Sequence, residues 1–113
     1  MTPDHDEVLI AWCAAANQAD ALRDTTDVFD PEQFEATVTE ILVLSEVRAP
    51  GEIAPDFEMQ RMSMRIAADI FAANDWDPIA GSAEMEAHPN EAAFTEASDA
   101  VNAFQAARCG GAS

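Results

Sequence analysis

Four stripes of apolar residues, each advancing by alternating steps of three and four, predict amphipathic helices over 3–28, 31–48, 55–75 and 89–109. In the first, Val8, Trp12, Ala15, Ala19, Leu22, Thr26 and Phe29 share one face. Phe34, Val38, Ile41, Leu42 and Ser45 mark the second, with Leu44 and Val47 widening it. The third runs through Met59, Met62, Ile66, Ile70 and Ala73, flanked by Phe57, Met64 and Phe71; the fourth through Phe94, Ala97, Val101 and Phe104. The β-like run Ile41-Leu42-Val43-Leu44 lies inside the second helical frame and reads as a helix covered on several sides.

Proline and glycine set the boundaries. Proline fits the first turn of a helix, where its missing N–H would have no partner, and disrupts the interior. Pro3, Pro31, Pro55 and Pro89 each precede a periodic run, Pro50 and Pro78 follow the second and third, and Gly110 and Gly111 close the fourth. Asp30-Pro31-Glu32-Gln33 supplies an N-cap, a first-turn proline and a capping-box residue. Asp24-Thr25-Thr26-Asp27 offers the backbone local side-chain partners and predicts fraying or a kink at the end of the first helix. Short first and second connections make successive helices antiparallel neighbours. The third, from Asp77 to His88, has room for an extra turn after Ser82. The expected architecture is a single all-α domain, 1–113, folded as an antiparallel up-down-up-down four-helix bundle.

That topology sets the end of the last helix beside the first half of helix one, and with it the two cysteines. Facing Cys13 with Cys109 gives a register in which paired numbers sum to 13 + 109 = 122. Leu22 with Val101, Ala19 with Phe104 and Phe29 with Phe94 each sum to 123, so one register nearly aligns both stripes. A slip of one heptad satisfies the stripes equally, and two reduced, buried cysteines are the other reading. A bridge would imply an oxidising compartment. In the same register Val8, Leu9 and Trp12 extend past the last helix and need cover from Ile53 and Phe57, which gives the Ala49–Phe57 connection a packing role.

Charge narrows the partners. Five arginines, no lysine and 22 acidic residues give a net charge of −17. Such a field repels phosphate backbones and anionic lipid, so direct nucleic-acid binding is excluded. Solubility, a basic partner, a cation or halophilic adaptation remain. No run approaches the ~20 apolar residues of a membrane span. The acidic start Met1-Thr2-Pro3-Asp4-His5-Asp6-Glu7 is no signal peptide, so the chain is either cytoplasmic or has lost a targeting segment.

Trp12-Cys13-Ala14-Ala15-Ala16, the segment Ala49-Pro50-Gly51-Glu52-Ile53-Ala54-Pro55-Asp56-Phe57 and Cys109-Gly110 together resemble small secreted or lipid-anchored helical domains of actinobacteria. The resemblance covers the layout of about the whole chain. It implies an extracytoplasmic bundle with the terminal cysteines paired, and it carries over no enzyme activity.

Candidate chemistry is sparse. The clusters Asp4-His5-Asp6-Glu7 and Asp24/Asp27/Asp30/Glu32 lack the Gly-turn form of calcium loops and read as solvated helix termini, so no metal site is expected. The residue three before His88 is Met85, not the Glu of a di-iron helix. His88 with Met85, Met59, Met62 and Met64 invites comparison with haem-binding bundles, but His88-Pro89 looks like a helix start and methionine at helical spacing is ordinarily core filler. With two histidines at helix termini and no nucleophile elbow, no catalytic set and no cofactor is expected. Trp12, Trp76, Met59, Met62, Met64, Met85 and His88 are the residues expected to contact a ligand or partner. The expected function is that of a non-enzymatic extracytoplasmic domain acting by protein contact or as a carrier of a small apolar ligand. The alternative is a cytoplasmic acidic mimic of nucleic acid that occupies a basic groove.

Overall fold

A computed structural model describes residues 5–109. The expected start at Pro3, residue Asp4, the side chain of His5, and the closing Gly110 and Gly111 lie outside what it describes. The described chain is all helical: α1 His5–Thr25, α2 Pro31–Leu44, α3 Ala54–Ala73, α4 Pro78–Glu86 and α5 Glu91–Arg108. Five helices replace the four expected.

The extra one, α4, follows from a signal the stripes passed over. Asp77-Pro78 repeats the Asp30-Pro31 start: the Asp77 carboxylate accepts from the N–H of Ile79 at 2.9 Å and of Ala80 at 3.3 Å, with Pro78 in the first turn. Pro78 therefore opens a helix and does not terminate one. A Cβ on Gly81 would sit 2.2 Å from the Phe71 ring, so only glycine lets α4 lie this close to α3.

Helix ends also differ from the periodic expectation, each for a local reason. α1 stops at Thr25 because Thr25 and Thr26 hydroxyls donate back to Ala21 and Leu22 carbonyls and the Asp27 carboxylate takes the Phe29 N–H at 3.0 Å. Phe29 thereby leaves the α1 stripe and is 70% exposed, so the expected Phe29–Phe94 pairing is not made. The Asp30 carboxylate caps α2 through Glu32 and Gln33 N–H groups, while the Gln33 side chain turns to accept from Asp27 N–H at 2.7 Å. α2 ends at Leu44, not 48, where Arg61 of α3 claims the next carbonyls: Nε donates to Ser45 O at 2.7 Å and Nη2 to Val47 O at 3.3 Å. α5 begins at Glu91, two residues after Pro89.

α3 closes on a Schellman motif, Trp76 N–H to Phe71 O at 2.7 Å and Asp75 N–H to Ala72 O at 3.2 Å. Glycine usually occupies the left-handed position here, yet Asp75 stands at φ 55° and Trp76 follows at φ 61°. Asp75→Gly is expected to raise the unfolding free energy by up to about 1 kcal/mol, the relief of left-handed strain exceeding the added chain entropy. Urea unfolding checks it; destabilisation would show that the Asp75 side chain does more than endure its backbone.

α3 packs against α2, α4 and α5, and α1 against α2 and, over a narrower front, α5. Two aromatic clusters hold the ends. At one, Trp12 meets Phe57 and Phe104 edge-on at 5.6 and 5.5 Å, with Ile53 and Val101 completing a buried set and Pro50 fully enclosed. The 49–57 connection thus covers α1 as its sequence implied. At the other, Phe34 stands edge-on to Phe71 at 4.8 Å and Trp76 at 5.5 Å. Cys13 and Cys109 are bridged, with Cα atoms 5.3 Å apart, and Gln105 donates to Asn17 Oδ1 at 3.0 Å. Both pairs sum to 122, so α1 and α5 run in opposite senses in the expected register.

Candidate functional site

Two places combine apolar surface with polar groups. The first is a half-open cleft where α1, α2, α3 and α5 meet, containing a cavity of about 40 Å³. Ala15, Ala16 and Ala19 give α1 a small-residue face there, opposite Leu44, Met64 and Val101. Trp12 also lines it and is 1% exposed. Among the described residues no group accepts a hydrogen bond from its indole Nε1, which is buried. An unsatisfied buried donor costs about 1–3 kcal/mol. The polar edge is drawn together by Asp20, whose carboxylate takes Arg23 Nη1 at 3.0 Å and Gln105 Nε2 at 2.8 Å. Arg23 Nη2 lies 3.9 Å from the Met64 sulfur.

The second is the end of the molecule formed by the α1–α2 turn and the start of α4. Contact between Phe34 and Trp76 brings these two segments to the same end. Phe29 is 70% and Ile79 72% exposed, with Val28 beside Phe29 also exposed. Acidic residues surround them in sequence: Asp24, Asp27, Asp30 and Glu32 on one segment, Asp75 and Asp77 on the other. Asp27, Asp30 and Asp77 accept backbone N–H groups, which fixes the turns while leaving their charge at the surface. Among the described residues, arginine pairs with carboxylates outside this group, as Arg23–Asp20, Arg61–Glu58 and Arg108–Glu52.

The residues expected to contact a ligand do not converge. Trp12 and Met64 share the cleft, Trp76 belongs to the opposite aromatic cluster, and Met62 is 45% exposed. Met59 is half-buried on α3. Met85 borders a separate shallow groove with Ser63 and Phe94. His88 uses Nδ1 to accept the Asn90 N–H at 3.1 Å and lies 5.5 Å from the Phe94 ring, holding the α4–α5 turn. Asp20, Gln105 and Ile79 were not singled out by the stripes, whereas Phe29 was placed on the inner face of the first. Ile79 could have been found as a bulky apolar residue beside an Asp cap, where no helix face claims it.

Among the described residues no three His, Cys, Asp or Glu groups are placed to hold a metal ion, and no helix is long and apolar enough to cross a membrane. Compared with known families, curated proteins and solved structures, the chain has no match. The resemblance to secreted or lipid-anchored domains finds no counterpart there. What stands is a small helical domain with a Cys13–Cys109 disulfide.

Proposed function

We propose that this is a non-enzymatic extracytoplasmic domain acting by protein contact at the end carrying Phe29 and Ile79. In this reading the four long helices form an up-down-up-down bundle, with α4 set into the third connection to build half of that end. One observation carries it: two large apolar side chains, 70% and 72% exposed, stand among acidic residues in a chain of net charge −17. Apolar surface bordered by charge of one sign suits a partner with a basic rim around an apolar contact. The disulfide supports the compartment, since such bridges persist where conditions are oxidising.

A photoreactive residue at position 29 should yield a defined adduct with a basic protein in the cells that make this one. The adduct should weaken with salt, which screens exposed charges beyond about 8–10 Å. The same group at the exposed Glu40 of α2 should yield none. Equal labelling from both positions would remove the proposal. The acidic-mimic alternative draws on the same charge; it works in cytosol and needs free thiols, so the redox state of Cys13 and Cys109 separates the two.

A further inference from the structure

The two halves of the contact end are held very differently. Among the described residues each of α1, α2, α3 and α5 buries at least one apolar side chain, whereas α4, which carries Ile79, buries none: its one buried residue is Gly81. Burial of an apolar face is what fastens a helix to its neighbours. α4 packs on α3, where Gly81 lies against the Phe71 ring, and an exposed hydrogen bond spans the pair, Asn74 Nδ2 donating to Glu84 Oε1 at 3.2 Å. Both of its joints are irregular. The chain enters through Asp75 and Trp76 at φ 55° and 61°, left-handed backbone that disfavours side chains and is relieved when the helix lifts. It leaves through the 87–90 turn, where Asn90 starts α5 without a side-chain cap bond. The Phe29 half is tied down: the Thr26 and Thr37 hydroxyls meet at 2.7 Å, and Asp27 N–H donates to Gln33 Oε1 at 2.7 Å, both joining the turn to α2.

We propose that α4 is a strap that lifts from α3 and reseats as a unit while the rest of the chain stays native, so that Ile79 is the movable half of the contact end and Phe29 the fixed half. At nine residues α4 is shorter than the ~12–15 a helix needs to stand alone in water, so lifting also melts it. Its use rests on the contact end proposed above; its motion does not. Seated, α4 completes the apolar pair; lifted, it withdraws Ile79. A partner that needs both residues therefore binds the seated state, and its affinity falls with the fraction of chains in which α4 is lifted.

Amide hydrogen exchange of the whole oxidised chain, resolved by residue, tests the strap without a partner. A failed cross-link at position 29 would leave these readouts standing, and their failure would leave that cross-link to be judged by itself. The amides of Gly81 to Glu86 should exchange on the order of 100-fold or more faster than core amides of α3 and α5. Their rates should stay nearly flat in low urea, because little surface opens with them, while the core rates climb. Gly81→Ala sets the helix preference of alanine against a Cβ that meets the Phe71 ring. The ring should win, speeding exchange in α4 by a further tenfold or so and leaving amides around Trp12 as protected as before. Exchange of α4 together with the core, at the same rate and urea dependence, overturns the proposal. So does a Gly81→Ala chain in which α4 exchanges no faster, or in which every helix speeds up alike.

Discussion

Replacing Cys13 and Cys109 together by alanine is expected to lower the unfolding free energy by about 4–5 kcal/mol. The bridge joins residues 96 apart, so it closes nearly the whole chain and removes more freedom from the unfolded state than a bridge over a short loop would. A domain of this size has only about 5–15 kcal/mol to lose. The position matters as well. α1 meets α5 over a narrower front than α3 does, and besides the bridge Gln105 ties the two helices through Asn17 and Asp20. Urea unfolding of the oxidised chain and of the double variant measures the difference. A change below about 1 kcal/mol would show that packing alone holds the seam.

Trp12→Ala should cost about 3–5 kcal/mol, the range for emptying the place of a large core aromatic. The ring is enclosed by Ile53, Phe57 and Val101 and joins three elements that are remote in sequence, α1, the 49–57 connection and α5. Phe29→Ala belongs to the same sequence stripe and should change stability by no more than about 0.5 kcal/mol, because its ring is 70% exposed. The contrast is the informative part. Equal losses at both positions, read by the same unfolding curves, would mean that Phe29 packs in solution and that the contact end is a core.

These two residues also show how far the sequence reaches. Periodicity alone placed Trp12, Ala19, Val101, Phe94 and Ala97 inside, and they are buried. It placed the cysteines within a bridge's reach, since opposite-running helices and short turns leave few registers. It failed at Phe29 because a stripe carries no information about where a helix stops. The end is set by Thr25, Thr26 and Asp27 side chains bonding to backbone, an energy local to a few atoms. α4 was expected only as an extra turn after Ser82, for a similar reason: nine residues with a glycine facing Phe71 form too short a stripe to read, although Asp77-Pro78 announced the start.

The cleft was less legible than the core. Met64 and Trp12 were both singled out, but nothing in their spacing says that they face each other across α1 and α3. Asp20 and Gln105, 85 residues apart, meet only once the 122 register is set. The methionines of α3 shared a helix in sequence and part in space, Met64 lining the cleft and Met62 standing 45% exposed.

Whether the domain works oxidised, outside the reducing cytosol, can be measured without a partner in hand. Cells producing the protein are treated with a thiol-blocking reagent before and during lysis, and the chain is digested without reductant and weighed. The account predicts no blocked cysteine, with the peptides of Cys13 and Cys109 recovered as one linked mass that separates on reduction. Both cysteines blocked, each in its own peptide, would contradict it and favour the cytosolic mimic.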